Sequence, residues 1–170
     1  MKKLLPLLVL VLSTVCANAQ VKVGIIVKHS NRLWEDRPVG FVNAGNGKIS
    51  AYQVGAEDMW SYQGKFPATI VGTIIRDTGF YIGEVVDPVD DYVNVRKGPG
   101  TKHPIVGKLH TGSRVYFKKT NSNWVMIFLP GKEKYSGFFS DVNVEDPRNC
   151  IFVGYVYKDR LTVPEVEQWL

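Results

Sequence analysis

Cys150 and the three histidines, His29, His103 and His110, are the residues from which nucleophilic or metal chemistry would have to be built. A cysteine nucleophile needs a histidine base and a setting that favours the thiolate, such as a helix start or a cationic neighbour. Cys150 instead ends a polar stretch and precedes an apolar run of strand character, with no helix start in reach. It reads as a small buried apolar residue. The histidines show no zinc-ligand spacing with it. Asp87-Pro88-Val89-Asp90-Asp91 gathers carboxylates but lacks the glycine and the spaced glutamate of a calcium loop, so it reads as a turn. The residues therefore point to no enzyme, no metal and no other cofactor.

Binding chemistry is better supplied. From Tyr92 to Lys132 there are eight Lys or Arg and no Asp or Glu, whereas Glu84, Asp87, Asp90 and Asp91 lie just before. One reading is a solvated strand face. The other is a cationic groove, interleaved with aromatic rings, for a ligand carrying carboxylates or other anionic groups. In Tyr92-Val93-Asn94-Val95-Arg96 the two valines point to one side of a strand and Tyr92, Asn94 and Arg96 to the other. With Tyr116, Trp124 and Tyr155 these form the candidate groove.

Positioning such a groove requires strands, and strands are what the sequence offers. Of the 170 residues 45% are hydrophobic and 22% charged, a globular profile that excludes disorder and a disulfide-stapled miniprotein. Short runs rich in Val, Ile, Tyr and Phe, broken by Gly, Pro, Asn and Asp, predict a mainly β protein. The expected strands are 21–28, 40–43, 48–54, 68–76, 81–86, 92–96, 105–109, 114–118, 124–129 and 151–157. Ala44-Gly45-Asn46-Gly47 predicts a hairpin turn, because Asn-Gly supplies the positive φ required. Thr162 followed by Glu165 is a capping-box pattern and predicts a short helical turn over 164–170. The best boundary is near Asp77-Thr78-Gly79, which separates a β-rich unit over 20–78 from a denser β unit over 79–163. No Gly/Ser- or Pro-rich linker marks that boundary, so the two should pack together. A weak echo across it, Val71-Gly72-Thr73-Ile74 against Val106-Gly107-Lys108-Leu109, raises a diverged duplication, but its offset disagrees with that of a second echo. Trp34, Trp60, Tyr62 and Phe66 read as core residues on irregular segments or as an interaction surface.

The first 19 residues have the form of an export signal: basic Lys2-Lys3, an apolar run from Leu4 to Val15, and a small-x-small site at Ala17-Asn18-Ala19. The run is too short to span a bilayer, which needs about 20 apolar residues. Cleavage before Gln20 lowers the net charge from +5 to +3, since Lys2 and Lys3 leave, and makes Cys150 the remaining cysteine. A lipid anchor on Cys16 is the rival reading, disfavoured because Val15 stands where a small residue is expected. Export in turn disfavours nucleic acid as a partner.

Taken in order, Tyr92-Val93-Asn94-Val95-Arg96-Lys97-Gly98-Pro99, Ile105-Val106-Gly107-Lys108-Leu109, Gly112-Ser113-Arg114-Val115-Tyr116, Asn123-Trp124 and Gly154-Tyr155-Val156-Tyr157 closely resemble the bacterial SH3-like domain. The resemblance covers residues 83–161 and implies a small SH3-like barrel preceded by the packed β-rich unit. It departs from the family over residues 130–149, a polar insertion where a short hairpin is usual, which reads as a long hairpin or as a flap beside a binding surface. Relatives bind cell-wall peptides, so the resemblance implies an exported binding protein holding a cell-wall peptide or an extended segment of an envelope protein. The alternative is an inhibitor or immunity-type protein that blocks another secreted protein. A cell-wall hydrolase, the family's frequent companion, fits least, because 20–78 is too short and too β-rich for a papain-like domain.

Overall fold

The computed structural model describes residues 20–28, 37–53, 62–131, 134–135, 137–139 and 146–162. The export signal (1–19), the C-terminal helical turn (164–170), Trp34 and Trp60 lie outside the described residues. The fold is mainly β. Its strands are β1 (Val21–Ile26), β2 (Pro38–Gly45), β3 (Lys48–Gln53), β4 (Tyr62–Pro67), β5 (Ile75–Val85), β6 (Tyr92–Arg96), β7 (Ile105–His110), β8 (Arg114–Lys119), β9 (Trp124–Leu129), β10 (Lys134–Tyr135), β11 (Phe138–Phe139), β12 (Ile151–Tyr157) and β13 (Leu161–Thr162). All join one sheet in the order β10-β11-β7-β6-β12-β9-β8-β5-β1-β2-β3-β4, with β13 beside β5. The pairings are antiparallel apart from the short contact of β11 with β7.

The barrel forms because its strands alternate. β6 buries Val93 and Val95, β9 buries Val125, Ile127 and Leu129, and β7 buries Leu109, while the intervening residues face outward. These side chains meet Val115, Phe117 and Val156 in one core, which also takes in Val21 and Val23 of β1 and Phe80 and Ile82 of β5. A second core, built from Val39, Phe41, Ile49, Ala51 and Ile75, lies under the other ends of the same two strands. Phe66 packs against it as a half-buried residue. Strands β1 and β5 therefore serve both cores, and the 78/79 position lies inside β5.

A bulge marks the passage from one core to the other. Val23 faces Phe80 and Gly24 faces Asp77, so Thr78 and Gly79 are extra residues on β5. Gly79 takes a φ of 73°, and the Thr78 hydroxyl donates to the Val23 carbonyl at 2.5 Å. A Cβ on Gly24 would collide with the Ile75 side chain. Lys22 closes the bulge from outside, 3.0 Å from Asp77, and this hydrogen bond raises the lysine pKa.

One expectation changes here. The apolar run 68–76 is not one strand: Ala68–Ile70 forms a 3-10 turn and Thr73 donates its hydroxyl to Thr69 O at 2.9 Å. Gly72 has a φ of 97°, and extended structure resumes only at Ile75. The Asn46-Gly47 turn is as expected, with positive φ at both residues. The insertion, for its part, is tied into the barrel. Phe139 of β11 is 5% exposed in the main core, against Gly107, and the Lys134 ammonium donates to Val106 O above its ring. After the insertion Asp146 caps the 3-10 turn Pro147–Asn149 by accepting from the Arg148 N–H at 2.8 Å. Burial pushes the Asp146 carboxyl up, but the hydrogen bonds and charge of Arg148, helped by Arg76, outweigh it and hold the pKa below its ordinary value.

Candidate functional site

On the outer face of the barrel, β6, β9 and β12 frame an open groove of about 630 Å³. The alternation of β6 presents Tyr92, Asn94 and Arg96 along one wall. Trp124, at the start of β9, pairs across the ladder with Tyr157 at the end of β12, and their rings meet edge to face at 5.6 Å. Asn94 is half-buried in the first wall, and its side-chain oxygen is enclosed without a hydrogen-bond partner. A buried acceptor left unmatched is costly.

The groove rim is held by ion pairs and hydrogen bonds. Arg96 donates from one guanidinium nitrogen to Thr101 O at 2.9 Å and His103 O at 2.8 Å, so it pins the loop after β6 as well as lining the groove. The His103 ring packs where a Cβ on Gly98 would stand, so that position needs glycine. Opposite, Arg160 lies 2.8 Å from Asp87. The Asp87 carboxylate accepts from the backbone N–H of Asp90 and Val89, and these bonds, with the Arg160 charge, hold its pKa below the ordinary carboxylate value. The Asp87–Asp91 run thus forms a turn, and Asp87 and Asp90 both line the groove.

Four of the six candidate residues come together here: Tyr92, Asn94, Arg96 and Trp124. Tyr116 does not. It is fully buried and packs edge-on against Phe80 at 6.4 Å, because β8 is covered on both faces, by Val115 and Phe117 on one and Tyr116 on the other. Tyr155 also stands apart, meeting Phe152 at 5.2 Å further along the outer face. Sequence reasoning missed Tyr157 and Arg160. The first was legible from its place opposite Trp124 once β9 and β12 are paired, whereas Arg160 sits on a 3-10 turn with no periodic signal.

The acid-free stretch does not make one cationic groove. Lys108 lies over the Tyr92 ring at 3.8 Å, but Lys118 covers Phe80 at 4.2 Å and Lys119 covers Tyr81 at 4.7 Å, on the β5–β8 side. Asp87 and Asp90 bring carboxylates into the groove as well, so it carries both signs. Cys150 is half-buried, with its thiol 3.8 Å from Asp146 O. Among the described residues no group of three or more His, Cys, Asp or Glu is arranged to hold a metal ion, and no helix is long and apolar enough to cross a membrane.

Among solved structures, the chain resembles "Structure of NlpC2 from Trichomonas vaginalis" at 16% identity and a TM-score of 0.32, over 85% of this chain and 48% of that one. This chain thus spans about half of that protein's length. No curated protein matches it. Residues 91–162, which contain β6 to β9, β12 and most of the groove, match the family model of the bacterial SH3 domain.

Proposed function

We propose that this is an exported, non-catalytic binding protein whose SH3 groove holds an extended peptide, in the first place a cell-wall stem peptide. The observation that carries the reading is the groove itself: an aromatic pair, Trp124 and Tyr157, lines it together with Asn94, whose buried oxygen lacks a donor. A peptide main chain supplies an N–H, and the rings accept its apolar side-chain surface. The mixed charge of the rim, Arg160 and Arg96 against Asp87 and Asp90, suits a ligand with both carboxylate and amino groups better than a polyanion. The family match supports a binding module, and the sequence of residues 1–19 supports export.

The test is retention of the purified mature protein on isolated cell-wall sacculi, beside Trp124→Ala and Asn94→Ala variants shown folded by circular dichroism. The reading expects the wild type to be retained and both variants to lose at least tenfold in affinity, about 1.4 kcal/mol. Failure of sacculi to retain the wild type, with stoichiometric capture of one envelope protein instead, would replace it with the inhibitor reading.

A further inference from the structure

A second cavity, of about 310 Å³, opens at one end of the barrel and is lined in part by Gln20, Phe117, Val125, Lys158 and Asp159. Gln20 is half-buried, and its side-chain carbonyl oxygen is enclosed without a hydrogen-bond partner. On its other side Gln20 borders a wider groove with Lys22 and Lys119. Lys22 is matched by Asp77 at 3.0 Å, and Lys119 lies over the Tyr81 ring. The remaining balance around Gln20 is Lys119 and Lys158 against Asp159.

We propose that Gln20, once it is the first residue of the exported chain, closes into a pyroglutamate lactam seated at this cavity. The proposal rests on the export reading, with cleavage between Ala19 and Gln20. In the step, the α-amine lone pair attacks the side-chain carbonyl carbon, the new N–C bond forms, and the carboxamide nitrogen leaves as ammonia with the proton given up by the amine. No oxidant, reductant or cofactor is consumed. One feature of the site favours closure. A protonated terminus would be partly withdrawn from water beside an excess of positive charge, and the neutral amine is the nucleophile the reaction needs. The product is a compact, uncharged terminus that aminopeptidases cannot enter.

Intact-mass measurement of freshly harvested exported protein, repeated after incubation at neutral pH, tests this. The expected mass is that of residues 20–170 less one ammonia, and pyroglutamate aminopeptidase acting on the denatured chain should expose Val21 as the new terminus. A chain that starts at Gln20 and keeps an open amine through the incubation overturns the lactam and leaves export standing. A chain that starts elsewhere, or retains residues 1–19, overturns the export reading and the lactam with it.

Discussion

Asn94 and Arg96 sit two residues apart on one strand face, yet they do different work. Arg96 spends its guanidinium donors on Thr101 O and His103 O, so Arg96→Ala should loosen the loop after β6 and weaken binding through it; amide exchange at residues 97–103 should speed up even without ligand. Asn94 makes no such bond through its oxygen, and Asn94→Ala should leave that exchange unchanged while weakening ligand binding. Asp87 gives the pH dependence of the rim. Its folded pKa is depressed, so the order it gives the turn is fully present above about pH 4, the ordinary carboxylate value, and is lost as pH falls through the lower folded value. The backbone amides of Val89 and Asp90 should therefore titrate together below about pH 4; a midpoint at or above that value contradicts the arrangement.

At the scale of elements, the insertion gives the sharpest departure from a surface decoration. Phe139 fills the space left by Gly107, where a Cβ would overlap the ring. Phe139→Ala should cost about 3 kcal/mol of stability, as expected for an aromatic residue removed from a core, and Gly107→Ala should displace β11; urea unfolding of each variant checks this. A decorative hairpin would give changes within about 0.5 kcal/mol. Strands with clean alternation were legible: β6, β9 and β12 lie where valine and aromatic spacing places them. The rest was not, for physical reasons. β10, β11 and β13 are two residues each, β11 and β13 being held by long-range pairing and β10 by β11 alone, β4 carries little apolar signal, and Gly72 and Thr73 interrupt a run that by composition reads as extended. Tyr116 misled because alternation assigns a strand residue to a face but does not tell whether that face is covered.

For the molecule as a whole, β1 and β5 decide the organisation. Val21, Val23, Phe80 and Ile82 belong to the barrel core, while Ile75 and Ile26 serve the other core, so neither core is complete without both strands. Unfolding should be a single transition by tryptophan fluorescence and by circular dichroism, and Val23→Ala, though it touches the barrel core, should lower the midpoint of both signals together. Two separated transitions would mean that the cores are independent. The shared strands also fix the frame on which the groove of β6, β9 and β12 rests. The most direct test of that groove is a nuclear magnetic resonance titration of the mature protein with a cell-wall stem peptide. The account predicts saturable shifts at the Trp124 indole N–H, the Asn94 side-chain amide and the Tyr157 backbone amide, the last two absent in Trp124→Ala. A peptide that binds while leaving these three signals unmoved would contradict it.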